Sequence, residues 1–245
     1  MSVSSLTSAP LLFAADLLSN SSIQQMPVGC YAETADGRGY RYAKVGATAT
    51  VAGKVYQGKA LDATNDQPSG GLGVNAAVAI GGTSITTSTS TTWTADEHAG
   101  GFLAVVVTPG QGYTYKVKGN TATSAATGGV ITLEDPLQVA LTTDSKVILV
   151  QNTYNGIVIE PGTPTAAIEG VPNSIITAAY FGWVQTWGPC SVLFTGTGVA
   201  GKAVGSLTGG TSGSSAPAIA ATNIMGYHMA TGITGEYSMI HLVIH

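Results

Sequence analysis

Short runs in which apolar and polar residues alternate, separated by glycine-containing turns, follow one another from residue 31 to the end of the chain. In "GGFLAVVVTPGQGYTYKVKG", a buried run at 102–107 leads through Pro109-Gly110 into a second run that places tyrosines on one face and lysines on the other. A two-residue period is that of a β-strand. The Asp36-Gly37 pair in "ETADGRGYRYAKVG" is typical of a hairpin turn. We therefore predict an all-β fold, built as a β-sandwich or a β-barrel.

The first 29 residues follow a different pattern. Leucines recur there near helical spacing, with Phe13 beside them and Asp16 off the apolar stripe, at Leu11, Leu12, Leu17 and Leu18. We predict a short N-terminal arm over 1–29 with a helix within 9–19. The remainder divides into a sandwich or barrel domain over 30–160 and a segment over 161–245. That segment is either a second β domain or the second half of the same fold, and it begins in a proline-rich connector.

Charge is scarce in this chain. Charged residues make up 9% of the sequence, against about 25% in an ordinary globular domain. At 44% hydrophobic residues and a net charge of −4, the chain lacks the signature of disorder and the basic balance of a nucleic-acid-binding protein. Surface this poor in charge usually lies against another subunit, so we expect a homo-oligomer.

The densest aromatic stretch is "YFGWVQTWGPCSVLF", residues 180–194. Its alternation places Phe181, Trp183 and Trp187 on one face of a strand, and each large side chain contributes about 1.5–3 kcal/mol when buried. We expect this face to be core or subunit interface. We also expect Gly188-Pro189 to end the strand and residues 190–194 to return as its partner.

Motifs for catalysis are missing from the sequence. It contains no P-loop, no dinucleotide-binding glycine pattern, no nucleophile elbow and no zinc-protease motif. His228, His241 and His245 are either exposed strand residues or ligands of one metal ion, and the former is the simpler interpretation. We expect no enzymatic activity, no cofactor and no metal.

Targeting signals and cysteine chemistry are equally sparse. Cys30 and Cys190 form either one long-range bridge or two free thiols. No apolar run reaches the 18 residues of a membrane span. A secretory signal begins with positively charged residues, whereas no Lys or Arg precedes Arg38 in this sequence. We expect synthesis in a cytoplasm and no membrane partner.

Several segments together resemble the decoration, or cement, proteins of tailed-bacteriophage heads, in particular divergent forms from environmental phages. The resembling segments are the apolar arm, "AGKVYQG", "AGGFLAVVVTPGQGYTYKVKG", "LEDPLQVALTTDSKV", "YFGWVQTWGPCSVL" and "MATGITGEYSMIHLVIH". The resemblance implies a β-barrel or β-sandwich, often trimeric, that sits on the capsid surface of the virion. It further implies the major capsid protein as partner and no catalytic residues.

On this interpretation the arm leucines and Phe13 anchor the protein to a neighbouring subunit, because an apolar arm can become ordered on a partner. Two alternatives remain open. A head or tail fibre or other host-binding module would use the Ser/Thr tract before Trp93, together with Trp93 itself. A major capsid or tail-tube subunit is the other, although the long helix of the common capsid fold is not predicted after residue 20.

Overall fold

A computed structural model describes residues 10–62, 66–88, 92–123, 128–206, 211–218 and 223–244. These residues are almost entirely β, which confirms the predicted fold class. The described part contains a single helix, α1 (Ala14–Leu18). The strands are β1 (Leu11–Leu12), β2 (Tyr31–Thr34), β3 (Gly39–Val45), β4 (Tyr56–Gln57), β5 (Leu72–Gly73), β6 (Ser84–Thr87), β7 (Phe102–Val107), β8 (Thr114–Asn120), β9 (Gly129–Leu133), β10 (Lys146–Val150), β11 (Asn155–Ile159), β12 (Ile168–Pro172), β13 (Phe181–Leu193), β14 (Thr197–Gly198), β15 (Ala203–Ser206), β16 (Ser215–Pro217), β17 (Ile224–His228), β18 (Gly232–Ile233) and β19 (Tyr237–Val243).

The chain forms two compact units. One, the inserted unit, is continuous over Ala60–Asn152; the other, the split unit, combines Met1–Lys59 with Thr153–His245. The chain therefore changes unit at 59/60 and 152/153, which are not the boundaries predicted at 29/30 and 160/161. The reason lies in strand pairing: β11, at 155–159, pairs with β3 and β4 from the first part of the chain. Local composition does not reveal such a return.

The inserted unit is an antiparallel barrel. Its six strands are ordered β5-β10-β7-β8-β9-β6, and a bridge between Val74 and Thr87 joins the two ends of this order. The predicted hairpin at 102–118 is present as β7 and β8, with Leu103 opposite Tyr115. The inward residues form one core, which includes Leu103, Tyr115 and Val117. Burying this alternating set from water stabilises the barrel.

The split unit contains a closed ring of strands and a sheet that extends from it. The ring runs β3-β11-β4-β12-β13 and closes where β13 pairs with β3; the sheet continues through β19, β17, β15 and β16. The 13-residue β13 serves both parts, because Phe181–Trp187 pair with β3 and Trp187–Leu193 pair with β19.

The predicted hairpin at Gly188-Pro189 is therefore wrong. Gly188 has a φ of +88°, the conformation that favours glycine in a turn, yet the strand continues through it without reversing. Pro189 is accommodated in the strand, opposite His241. What changes at this point is the partner of the strand, from β3 to β19, and not its direction.

The N-terminal arm is partly extended. Leu11 and Leu12 form β1, which pairs in parallel with β2, and only Ala14–Leu18 are helical within the predicted 9–19. The Phe13 N–H donates a hydrogen bond to Asp16 Oδ2 at 3.0 Å, which satisfies one amide at the start of this single turn. Ser19 is extended and ends the helix.

Candidate interaction surfaces

The apolar arm has two faces with different environments. Leu12 and Leu17 are buried against Tyr40, Tyr42 and Trp183 of the same chain. By contrast, three of the predicted anchor residues are exposed: Leu11 by 54%, Phe13 by 66% and Leu18 by 63%. The arm thus packs on its own unit through one pair of leucines and presents the other apolar side chains to the outside.

A short connection fixes the arm at its C-terminal end. The N–H of Ser21 donates to the Phe181 carbonyl at 3.0 Å, and the Phe181 N–H donates back to Ser21 at 2.8 Å. The Asn20 side chain donates to the carbonyl of Ile175, whose own side chain is exposed. These hydrogen bonds hold the C-terminal end of the arm against the split unit.

The three predicted aromatic contacts of β13 do not behave alike. Phe181 and Trp183 are buried and pack against Tyr42, with ring-centroid distances of 6.0 Å and 5.0 Å. Trp187 keeps 37% of its surface exposed. Two of the three therefore belong to the core of the split unit, while Trp187 is open to a ligand or partner.

A broad apolar surface covers the solvent side of β13, β17 and β19. We call it the outer face; its exposed members are Ile224, Tyr227, Met229, Tyr237 and Met239. None of the residues in these three strands is Asp, Glu, Lys or Arg. Contiguous exposed apolar surface of this kind marks interaction sites in proteins. The sequence analysis did not single out this surface, because alternation alone does not reveal which exposed positions adjoin across strands.

A pocket of about 650 Å³ opens beside the outer face. Tyr237 and Met239 form part of its wall, and the Asp36–Arg38 ion pair, with an N–O distance of 2.9 Å, forms another part. At its floor the Asn173 amide donates to the Tyr40 hydroxyl at 3.0 Å and to Gln185 Oε1 at 2.9 Å. We call it the Asn173 pocket.

The cysteine that lines the Asn173 pocket is not an activated nucleophile. Burial raises the pKa of the Cys190 thiol to about 12, so the thiolate that would be the nucleophile is disfavoured. Burial likewise raises the pKa of Tyr40 to about 12. The Tyr40 hydroxyl therefore stays protonated and is not a base for the thiol, and the Cys190 Sγ contacts Asn173 Oδ1 at 3.6 Å.

A second pocket, of about 410 Å³, lies at the end of the β13–β19 ladder where Trp187 pairs with Val243. Its lining residues are Tyr31, Glu33, Arg41, Thr186, Trp187 and Ile244. Trp187 lies opposite Val243, whereas Tyr237 of the outer face lies opposite Leu193. Six residues of strand separate these positions, roughly 20 Å. We call this second site the Trp187 pocket.

The histidines do not form the metal site considered from the sequence. His228 is buried, and His241 is half-buried on the opposite side of the sheet; His245 lies outside the described residues. His98 is buried in the inserted unit, where its Nε2 is 2.9 Å from Asp66 Oδ1. Within the described ranges, no group of three or more His, Cys, Asp or Glu side chains could hold a metal ion.

The structure also places the cysteines and Trp93, the other residues considered from the sequence. Cys30 and Cys190 are both free thiols. Trp93, considered for host binding, is buried in the barrel core; Ser84–Thr87 of the preceding tract form β6, while residues 89–91 lie outside the described ranges. No helix in the described part of the chain has the length and apolarity to cross a membrane. Searches against known protein families, curated proteins and solved structures found no match to this chain.

Proposed function

We propose that this protein is a structural subunit of a virus particle, and specifically a decoration protein on the head of a tailed phage. The observation that carries a structural role is the outer face, a multi-stranded surface with exposed tyrosine and methionine side chains and no charged residue. Covering such a surface with a partner removes apolar area from water, and this lowers the free energy of the complex. The phage head as the particle rests on the sequence resemblance described above.

The geometry suggests how such a subunit assembles. The Asn173 pocket can receive a projecting side chain of the partner, and Tyr237 and Met239 at its rim can exclude water around that contact. The exposed side of the arm, with Leu11, Phe13 and Leu18, offers a second contact. Protein that binds the assembled lattice better than free capsid subunits stabilises the shell by mass action. Symmetry multiplies this effect, and a homotrimer is our preferred assembly.

Binding to intact heads tests the proposal. Purified protein mixed with heads of the source phage that lack it should co-sediment with them, and cryo-EM should show it at capsomer contacts. The double substitution Tyr227→Lys/Met239→Lys should abolish this binding, because it places charge on the outer face. Lys118→Glu, on an exposed strand position of the inserted unit, is the matched control and should bind normally. Wild-type protein that remains in the supernatant would contradict the proposal.

The two faces of the arm allow a second comparison in the same assay. Leu11→Ser/Phe13→Ser/Leu18→Ser changes exposed residues and should lower occupancy on heads without lowering the stability of the free protein. Leu12→Ser/Leu17→Ser changes the buried pair and should lower stability instead. Equal occupancy of the exposed-face variant and the wild type would remove the arm from the interface.

Host binding is the alternative with its own observation, the partly exposed Trp187 in a pocket. A major capsid subunit has less support, because the described residues contain one five-residue helix and no long one. We propose binding and not catalysis for either surface, since the lining of the larger pocket offers no activated nucleophile.

A further inference from the structure

We infer that the Trp187 pocket binds a neutral saccharide. This inference goes beyond the proposed structural role: a subunit on the outside of a particle would gain a contact to glycans, at the Trp187–Val243 end of the β13–β19 ladder, roughly 20 Å from Tyr237 of the outer face. It rests on the aromatic floor of the pocket, on a balanced pair of charged groups above that floor, and on the size of the space between them.

The aromatic floor depends on a missing side chain. Glu33 of β2, Gly39 of β3, Trp187 of β13 and Val243 of β19 lie opposite one another across four neighbouring strands. A Cβ atom at Gly39 would lie within 3 Å of both the Tyr31 ring and the Trp187 side chain. The absence of a side chain at Gly39 thus lets Tyr31 lie across the sheet beside Trp187.

Trp187 is also held from its other side. The His241 ring meets it nearly perpendicularly, with an interplanar angle of 80° and a centroid distance of 5.5 Å. An indole that is supported on both sides and still partly exposed loses little conformational freedom when a ligand stacks on it. The C–H face of a pyranose ring is an apolar surface that fits such a floor.

Two polar groups line the same pocket and are held in place by the protein. The Glu33 carboxylate accepts a hydrogen bond from the Tyr31 hydroxyl at 2.8 Å. The Arg41 guanidinium donates to the Gly29 carbonyl at 2.8 Å and lies over the Tyr31 ring at 5.7 Å and the Tyr154 ring at 5.6 Å. One group accepts hydrogen bonds and the other donates them, as sugar hydroxyls require.

The charges decide between classes of ligand. Glu33 and Arg41 carry opposite charges, so the pocket as a whole favours neither an anion nor a cation. An anionic sugar would meet the carboxylate, and an amino sugar would meet the guanidinium. At about 410 Å³ the space falls within the range of small-molecule sites. A neutral hexose or short neutral oligosaccharide fits these conditions.

Isothermal titration calorimetry tests the inference with a defined panel of probes: methyl glucoside, methyl galactoside, methyl mannoside and N-acetylglucosamine, with glucuronate and glucosamine as charged counterparts. At least one neutral probe should bind with a Kd of about 1 mM, corresponding to roughly −4 kcal/mol. The charged counterparts should bind no more tightly than the neutral probes, because each meets a like charge as well as an opposite one. Trp187→Ala should abolish binding.

Two further variants make the result specific. Glu33→Gln changes an exposed carboxylate, is expected to fold normally, and should weaken binding about tenfold, the loss of about one charge-assisted hydrogen bond. Tyr237→Ala removes an exposed aromatic ring of the outer face roughly 20 Å along the strand from Trp187 and should leave binding unchanged. Failure of every neutral probe to saturate at 100-fold the expected Kd overturns the inference, as does unaltered binding by Trp187→Ala. In either case binding to phage heads is unaffected, so the proposed structural role is tested separately.

Discussion

Strands β8 of the inserted unit and β19 of the split unit have the same length and the same burial pattern over their first four residues. Both are seven residues long, and in both the buried and exposed side chains alternate. Their inward residues are of the same kind, Tyr115 and Val117 in one and Ile240 and Leu242 in the other. The outward residues differ. In β8 they include Lys116 and Lys118, whereas in β19 they include Tyr237 and Met239.

The two strands thus differ on their outward sides, whereas the inward sides that determine folding are alike. The alternation fixes a strand and the inward side chains fix its core, so both strands are equally well specified by burial. Lys116 faces water and lies 3.3 Å from Glu134, an exposed ion pair of the kind that contributes little to stability but keeps a surface hydrated. The outward side of β19 lacks any such group, and this is the reason we propose that a partner covers it.

Truncation of inward-facing core residues should have the largest effect on the free energy of unfolding, and this effect should be equal in the two units. Leu103→Ala, opposite Tyr115 of β8, and Leu242→Ala in β19 each remove a fully buried side chain. Each should lower the free energy of unfolding of its unit by about 2–5 kcal/mol in urea denaturation. Ser191→Ala, at an exposed position, is the control and should change it by less than about 0.5 kcal/mol. A loss below 1 kcal/mol in either unit would contradict the equivalence.

The outward sides should differ in their effect on binding to heads. Met239→Lys on β19 should leave the free energy of unfolding within about 0.5 kcal/mol of the wild type and weaken binding to heads by about 2 kcal/mol, or roughly 30-fold. Lys118→Met on β8 should leave binding to heads unaltered. Co-sedimentation over a range of protein concentrations measures both affinities. If Met239→Lys binds heads like the wild type, the outer face is not the contact with the capsid.

How far the sequence predicts these features depends on the range of the interaction involved. The two-residue period and the Asp36-Gly37 turn are local, and both the all-β class and the β2–β3 hairpin follow from them. The continuation of β13 through Gly188-Pro189 is not local, since it depends on β3 and β19 receiving the two halves of that strand. The Gly188-Pro189 dipeptide alone therefore does not show whether the strand reverses or continues with a new partner strand.

The candidate sites follow the same rule. The arm was correctly recognised as apolar, but which leucines are buried depends on its packing against Tyr42 and Trp183, from distant parts of the chain. The Trp187 pocket was missed because Glu33, Gly39 and Trp187 are brought into one row only by the pairing of β2, β3 and β13. No sequence spacing could have indicated that row.

Each unit buries a histidine, and the two side chains have different surroundings. We expect a smaller, pH-dependent effect on the free energy of unfolding from this difference. His98 in the inserted unit is fully buried, with Asp66 at one ring nitrogen and Asn120 at 3.3 Å from the other. His228 in the split unit is 3% exposed, packs against the Phe194 ring at 4.6 Å, and neither ring nitrogen has a hydrogen-bond partner among the described residues. Burial lowers the pKa of His228, because a charged imidazolium would be poorly solvated there.

Acidification should therefore destabilise the split unit through His228. Since its pKa is lower in the folded than in the unfolded state, its stabilising contribution is complete above the unfolded pKa of about 6.5 and is lost as the pH falls below it. The loss should approach about 1.4 kcal/mol per pH unit for one proton. His228→Gln should remove this slope in urea unfolding between pH 7 and 5, whereas His241→Gln, at a half-buried position on the other side of the sheet, should retain it. A slope that survives in His228→Gln would assign the pH dependence elsewhere.

The smallest effect should have the opposite sign with pH and come from Glu160, which follows β11 in the split unit. Its side chain is fully buried, and burial raises its pKa despite the nearby backbone amides of Gly162 and Gly213. A carboxyl whose pKa is raised by folding stabilises the protein below its unfolded pKa and loses that contribution as the pH rises through the folded one. Glu160→Gln should therefore increase the free energy of unfolding at pH 8 by on the order of 1 kcal/mol, and the gain should shrink toward pH 4. Glu236→Gln, at an exposed position, should show no such trend. A gain that is independent of pH would mean that the amide makes a contact the carboxylate lacks, and that charge burial at Glu160 does not weaken the split unit.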